Sequence, residues 1–110
     1  MMFIDTNYFL RYLLNDIPEQ HIKVIELFEE ASEGDIKLLT SSLVFFEIAW
    51  VLRSVYQLNK DQLIVALQSI LKLSFIRMDE RDIFSQALVL FEKSNLSLED
   101  CYNIFYAREA

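Results

Sequence analysis

Three carboxylates in this sequence stand apart from the other acids, and they lie far from one another along the chain. Asp5 directly follows the short apolar run MMFI, Glu47 interrupts the apolar segment Leu43–Leu52, and Asp100 stands in the turn SLED. Carboxylate oxygens are the ligands that hard cations such as Mg²⁺ or Mn²⁺ prefer. A cation held among them would bind a phosphate and lower the pKa of a bound water. If the three acids converge, the chemistry they predict is phosphodiester hydrolysis.

Glu47 is the acid that its neighbours explain least. On a helix it lies beside residues three and four positions away, and all four are apolar: Leu43, Val44, Trp50 and Val51. The opposite side carries a more mixed set: Phe45, Ala49, Arg53 and Tyr56. We therefore expect Glu47 on the buried face, where a lone carboxylate is costly unless paired or bound to a metal. A place at the edge of the core, or pairing with a distant arginine, is the alternative.

Asp5 and Asp100 also have ordinary structural interpretations. An Asp between a strand and a helix is a good N-cap, which would explain Asp5 without any chemistry. Ser97 and Asp100 have the spacing of a capping box at the start of a helix. The small polar residues Thr6 and Asn7 follow Asp5 and add further oxygens to the same turn.

The hydrophobic pattern predicts an α/β fold in which three short strands alternate with pairs of helices. The strands are expected at 1–4, 36–40 and 74–78, and the helices at 6–16, 18–34, 42–56, 60–72, 80–95 and 97–110. Without hairpin signals, this order favours a parallel sheet flanked by helices. Ligands of such sheets bind at the carboxyl ends of the strands, where Asp5 would stand.

Composition limits the other possibilities. The chain of 110 residues suits one domain, 1–110, and its net charge of −7 argues against a broad phosphate-binding surface. One histidine, His21, and one cysteine, Cys101, provide neither a zinc set nor a disulfide. No apolar run is long enough for a membrane span and no signal peptide is recognisable, so we expect a cytoplasmic protein.

Three motifs together resemble those of PIN domains and are most similar to VapC-type toxins. They are FIDTNYFLRYLL near the start, SSLVFFEIAWVL in the middle and LSLEDCYNIFYA near the end. The resemblance covers essentially the whole chain. It implies a three-layer α/β/α fold and a Mg²⁺- or Mn²⁺-dependent endoribonuclease.

The resemblance also implies roles for individual residues. It makes Asp5, Glu47 and Asp100 the catalytic, metal-binding acids, and it places Thr6, Asn7 and Arg11 near the RNA substrate. Such a toxin is expected to form a homodimer and to bind an antitoxin protein across its acidic site. The sequence departs from the family pattern because the expected last strand, with a fourth acid, is missing after the final helix.

Other classes fit less well. A non-catalytic PIN-like module that binds RNA or a protein is the main alternative, and the missing strand favours it. A haloacid-dehalogenase-like phosphatase needs a second Asp where Asn7 stands. A ribonuclease-H-like nuclease opens with antiparallel strands, whereas a helix is predicted directly after the first strand.

Overall fold

The computed structural model describes residues 1–110 and contains three strands and six helices. Their order is the predicted alternation of one strand with two helices. The elements are β1 (Met2–Phe3), α1 (Thr6–Leu13), α2 (Pro18–Ser32), β2 (Leu38–Leu39), α3 (Ser42–Ser54), α4 (Lys60–Leu71), β3 (Ile76–Arg77), α5 (Arg81–Lys93) and α6 (Leu98–Glu109). The strands are only two residues long, shorter than the apolar runs suggested.

The strands form one parallel sheet in the order β1-β2-β3. Met2 pairs with Leu38, and Leu38 pairs with Ile76. Hydrogen bonds continue past the assigned strands, because the Ile4 amide donates to the Leu39 carbonyl at 2.8 Å and the Thr40 amide to the Arg77 carbonyl at 3.0 Å. The predicted α/β class and the parallel sheet are therefore confirmed.

The chain divides into two compact units. Residues 1–48 and 73–79 form the sheet unit, and residues 49–72 and 80–110 form the helical unit. The division falls within α3, so this helix contributes residues to both units.

The sheet unit is built around Phe28 of α2. Its ring centroid lies 6.3 Å from that of Phe9, 5.3 Å from that of Tyr12 and 5.6 Å from that of Phe75. This cluster joins α1 and α2 to the segment that leads into β3. The sequence pattern predicts an apolar stripe of Ile22, Ile25 and Phe28 on α2, and this is wrong in part. The buried residues are Val24, Phe28 and Ala31, whereas Ile22 is exposed.

The helical unit consists of α4, α5, α6 and the last part of α3. Asn59 and Gln62 form a capping box at the start of α4. The Arg81 guanidinium donates to the Leu71 carbonyl and ties the start of α5 to the end of α4. The lone thiol of Cys101 is fully buried in the core of this unit.

The predicted cap of α5 is wrong. The sequence suggested Asp79, but the N-cap position is Glu80, whose side chain makes no capping hydrogen bond. Asp79 instead accepts from Arg77 Nε at 2.9 Å. The Asp79 carboxylate is therefore engaged by the opposite charge two residues away and not by the helix amides.

Candidate active site

Asp5 is placed by the end of β1 and the start of α1. It is the N-cap of α1, and its Oδ1 accepts from the Asn7 amide at 3.0 Å. The side chain is exposed, and its second oxygen has no partner in the protein. Capping therefore uses one carboxylate oxygen and leaves the other for a ligand.

Thr40 fixes the backbone just before Asp5, and the sequence did not single it out. Its side chain is buried at the end of β2, and Oγ1 donates to the Ile4 carbonyl at 2.8 Å. This bond ties the carboxyl ends of two neighbouring strands together. The available signal was a polar residue directly after the buried run of β2, at the strand end where sites form.

Glu47 lies on α3, the helix that follows β2, so it and Asp5 both follow the carboxyl ends of neighbouring strands. Its predicted burial is wrong, because the side chain is exposed. Leu43 and Trp50 beside it are 75% and 64% exposed, whereas Phe45, expected on the mixed side, is 1% exposed. An acid at this place is accessible to solvent and to ligands.

Thr6 and Asn7 occupy the first turn of α1. Asn7 is exposed, and its amide caps the helix through Asp5. Thr6 is buried, and its Oγ1 has no hydrogen-bond partner in the protein. A buried hydroxyl without a partner is uncommon and is often satisfied by a water or an ion.

Arg11 makes its contacts with other residues of the sheet unit. Its guanidinium pairs with Asp16 at 3.1 Å and is mostly shielded, and the Arg11 carbonyl accepts from His21 Nδ1 at 2.8 Å. His21, expected on the surface, is thus half-buried and engaged. Arg11 also lines a small groove of about 200 Å³ together with Asn7, Tyr8, Gln20, Lys23 and Val24.

Asp100 belongs to the helical unit and stands in the first turn of α6. Ser97 is the N-cap, and its Oγ accepts from the Asp100 amide at 3.0 Å. The Asp100 side chain is exposed and makes no hydrogen bond or ion pair with the protein. Its carboxylate is therefore not used for capping.

The structure contains no group of three or more His, Cys, Asp or Glu side chains close enough to hold a metal ion. Within the sheet unit, it brings Asp5, Thr6 and Asn7 to the carboxyl end of β1. None of the helices is sufficiently long and apolar to cross a membrane.

These features describe an α/β protein with exposed acids after the carboxyl ends of parallel strands. The PIN domain family matches the sequence over residues 2–110, so the chain belongs to this family. PIN domains are generally nucleases that act on RNA, typically with divalent metal ions. Among curated proteins, none matches the sequence.

Proposed function

We propose that this chain is a metal-dependent endoribonuclease and that residues 1–110 form one PIN domain. The observation that carries the proposal is the family match over 2–110 together with the exposed carboxylates of Asp5 and Glu47 after neighbouring strands. Exposure leaves both carboxylates accessible to a cation and to a substrate, as a hydrolytic site requires.

The donor atoms suit Mg²⁺ or Mn²⁺. Asp5 has a free carboxylate oxygen, Glu47 is accessible, and the unpartnered Thr6 hydroxyl lies next to Asp5 in the chain. All are hard oxygen donors. We propose Asp5, Glu47 and Asp100, the acids of the three motifs that resemble the family, as the residues that would hold the cation, which when bound would supply charge for the phosphate and an activated water.

The protein's own contribution is to orient these groups. The Asn7 amide fixes one rotamer of Asp5, and the Thr40 hydrogen bond fixes the backbone before it. The buried Thr6 hydroxyl, which has no partner in the protein, would hydrogen-bond a water at the site. Asn7 and Arg11 would contact the RNA, and Arg11, which uses Nη1 to pair with Asp16, would use its remaining N–H donors.

The test is cleavage of single-stranded RNA in Mg²⁺ and in Mn²⁺ by wild type and by Asp5→Asn. Asp35→Asn is the matched control, because Asp35 is also exposed and the charge change is the same. We expect cleavage by wild type and the control, and none by Asp5→Asn or in chelator. Equal cleavage by the Asp5 variant would contradict the proposal.

We further propose that the protein acts as the toxin of a type II toxin–antitoxin pair, as a homodimer. The support is the VapC-like pattern of its motifs and the exposed apolar side chains Leu43 and Trp50 along α3, on either side of Glu47. An antitoxin segment covering these residues would also cover the acid. Light scattering of wild type and Trp50→Ser, with and without a co-expressed antitoxin, measures the mass of the homodimer and of the antitoxin complex. We expect Trp50→Ser to weaken the antitoxin complex.

A second candidate is a PIN module that binds RNA without cleaving it. The observation in its favour is that no three acidic, histidine or cysteine side chains are grouped at metal-binding distance. It predicts that Asp5→Asn, Glu47→Gln and Asp100→Asn leave RNA affinity unchanged and that folded wild type with Mn²⁺ does not cleave.

A further inference from the structure

The helical unit contains a groove of about 510 Å³ that differs in charge from the rest of this acidic protein. Two cations, Arg53 and Lys60, line it with the polar side chains of Asn95 and Ser97. Leu58 and Leu96 are part of its apolar wall. No carboxylate is among the lining residues, although the chain as a whole carries a net charge of −7.

The two cations are presented differently. Lys60 Nζ donates to the Ser94 carbonyl at 2.7 Å and lies 4.7 Å from the centroid of the Phe91 ring. These contacts fix its charge at the wall and leave further N–H donors for a ligand. Arg53 is exposed and forms no ion pair, so its five donors are accessible.

The groove opens at the start of the helix that carries Asp100. Ser97, which lines the groove, accepts from the Asp100 amide at 3.0 Å. A ligand in the groove would therefore lie next to the turn in which one of the proposed catalytic acids stands.

We propose that this groove binds one nucleotide of the single-stranded RNA, beside the nucleotide that is cleaved. Arg53 and Lys60 bind its phosphate, Leu58 and Leu96 contact the sugar and base, and the Asn95 amide meets the base edge. This inference rests on the proposed ribonuclease function and names how its substrate is held.

A nucleotide fits better than an acidic peptide because the groove pairs cations with an apolar wall. Its volume lies within the usual range for sites that enclose a small molecule. An acidic side chain would use the cations but would leave the leucine wall without a partner.

The test measures how tightly the whole chain binds a fluorescein-labelled oligouridylate of twelve nucleotides. Binding is followed by fluorescence anisotropy, with chelator present, over a range of salt concentrations. Arg53→Gln is compared with Lys93→Gln, which removes the same charge from an exposed residue outside the groove. Leu96→Glu places a carboxylate in the groove, and Val89→Glu, at an exposed position outside it, is its control.

We expect about tenfold weaker binding for Arg53→Gln and Leu96→Glu, since a hydrogen bond to a charged group is lost or opposed. The salt dependence of Arg53→Gln should fall by about 0.7 in the log–log slope, the value for one phosphate contact on a single strand. Both controls should bind like wild type.

Binding by Arg53→Gln that equals wild type would overturn the inference, and so would Arg53-dependent binding of labelled hexaglutamate without Arg53-dependent binding of RNA. Neither result bears on cleavage, which the Asp5→Asn comparison measures separately. Loss of cleavage by Asp5→Asn with unchanged binding by Arg53→Gln would leave a ribonuclease that holds its substrate elsewhere.

Discussion

The starts of α1 and α6 each carry one of the proposed catalytic acids, yet the acid has a different task in each. In α1, Asp5 is itself the N-cap and gives one oxygen to the Asn7 amide. In α6, Ser97 is the cap, and Asp100 stands beyond it with an unengaged carboxylate. Asp5 therefore stabilises its helix and also belongs to the proposed site. Asp100 makes no capping contact, because the Ser97 hydroxyl caps its helix.

The two regions also differ in how they are anchored. Before α1, the neutral hydrogen bond from Thr40 to the Ile4 carbonyl holds the strand end. In α6, the Tyr102 hydroxyl donates to Glu80, 2.8 Å from each carboxylate oxygen, and its ring stacks on Phe84 at 5.1 Å. The second anchor includes a titratable hydroxyl, so it should weaken at alkaline pH.

The largest effect should come from Asp5. Asp5→Asn is expected to lower the RNA cleavage rate by at least about 100-fold, since it removes the negative charge of a proposed metal ligand. The free energy of unfolding should stay nearly unchanged, because Asn caps as well as Asp. Asp5→Ala should lose the same activity and about 1 kcal/mol of stability besides. Cleavage assays and urea unfolding measure the two losses. An Asp5→Ala protein as stable as Asp5→Asn would show that the cap contributes nothing.

The Thr6 hydroxyl gives the next effect. Thr6→Val removes a buried oxygen that has no partner, so stability should stay the same or rise by up to about 1 kcal/mol. We expect the cleavage rate to fall about tenfold, because the hydroxyl would hold a water beside the proposed metal ligand Asp5. Thr6→Ser, which keeps the hydroxyl, is the matched control for activity. Full activity in Thr6→Val would assign Thr6 to the fold alone.

At α6 the effects on stability and activity should separate. Ser97→Ala is expected to lower the free energy of unfolding by about 1 kcal/mol because it removes the cap. Asp100→Asn should lower cleavage without a comparable loss of stability. Thermal unfolding and cleavage of both variants test this separation. A large loss of stability in Asp100→Asn would show that its carboxylate is structural after all.

The smallest effect is the pH dependence of the α6 anchor. Burial, followed by the hydrogen bond to Glu80 and the charges nearby, raises the pKa of Tyr102 from 10.0 to about 12. Because the folded state holds this proton more tightly, the stability it contributes is fully present below pH 10. It is lost as the pH rises from about 10 towards about 12.

Urea unfolding of wild type and Tyr102→Phe between neutral and strongly alkaline pH measures this contribution. The wild type should lose more stability than the variant over the alkaline range. If the stability of the two proteins fell in parallel, the Tyr102 hydroxyl would contribute no pH-dependent stability, which would contradict the prediction.

The sequence predicted the elements well because their signals are local. Pro18 and Gly34 bracket α2, with Gly34 at a φ of 87° just after the helix, and Ser97 caps α6 as its spacing indicated. The three candidate acids, Asp5, Glu47 and Asp100, were also chosen from the sequence. Their roles in binding metal remain predictions.

The burial of α3 could not be predicted from periodicity. This helix is apolar on nearly every side, so the residues three and four positions from Glu47 did not identify the buried face. Packing buries Val44, Phe45, Ile48 and Leu52 and leaves Leu43, Glu47 and Trp50 exposed. Because Glu47 is exposed, it does not require a cation to offset burial, although the sequence pattern had suggested one. Its carboxylate is instead accessible to a ligand.

By itself, the sequence determined the order of strands and helices, the caps and the type of donor atom at each candidate position. These properties depend on residues within one or two turns of each other. The tertiary structure alone decided that the Thr6 hydroxyl is buried without a partner and that Arg53 and Lys60 line one groove. Such facts depend on residues distant in sequence, whose meeting is set by packing and leaves no local pattern.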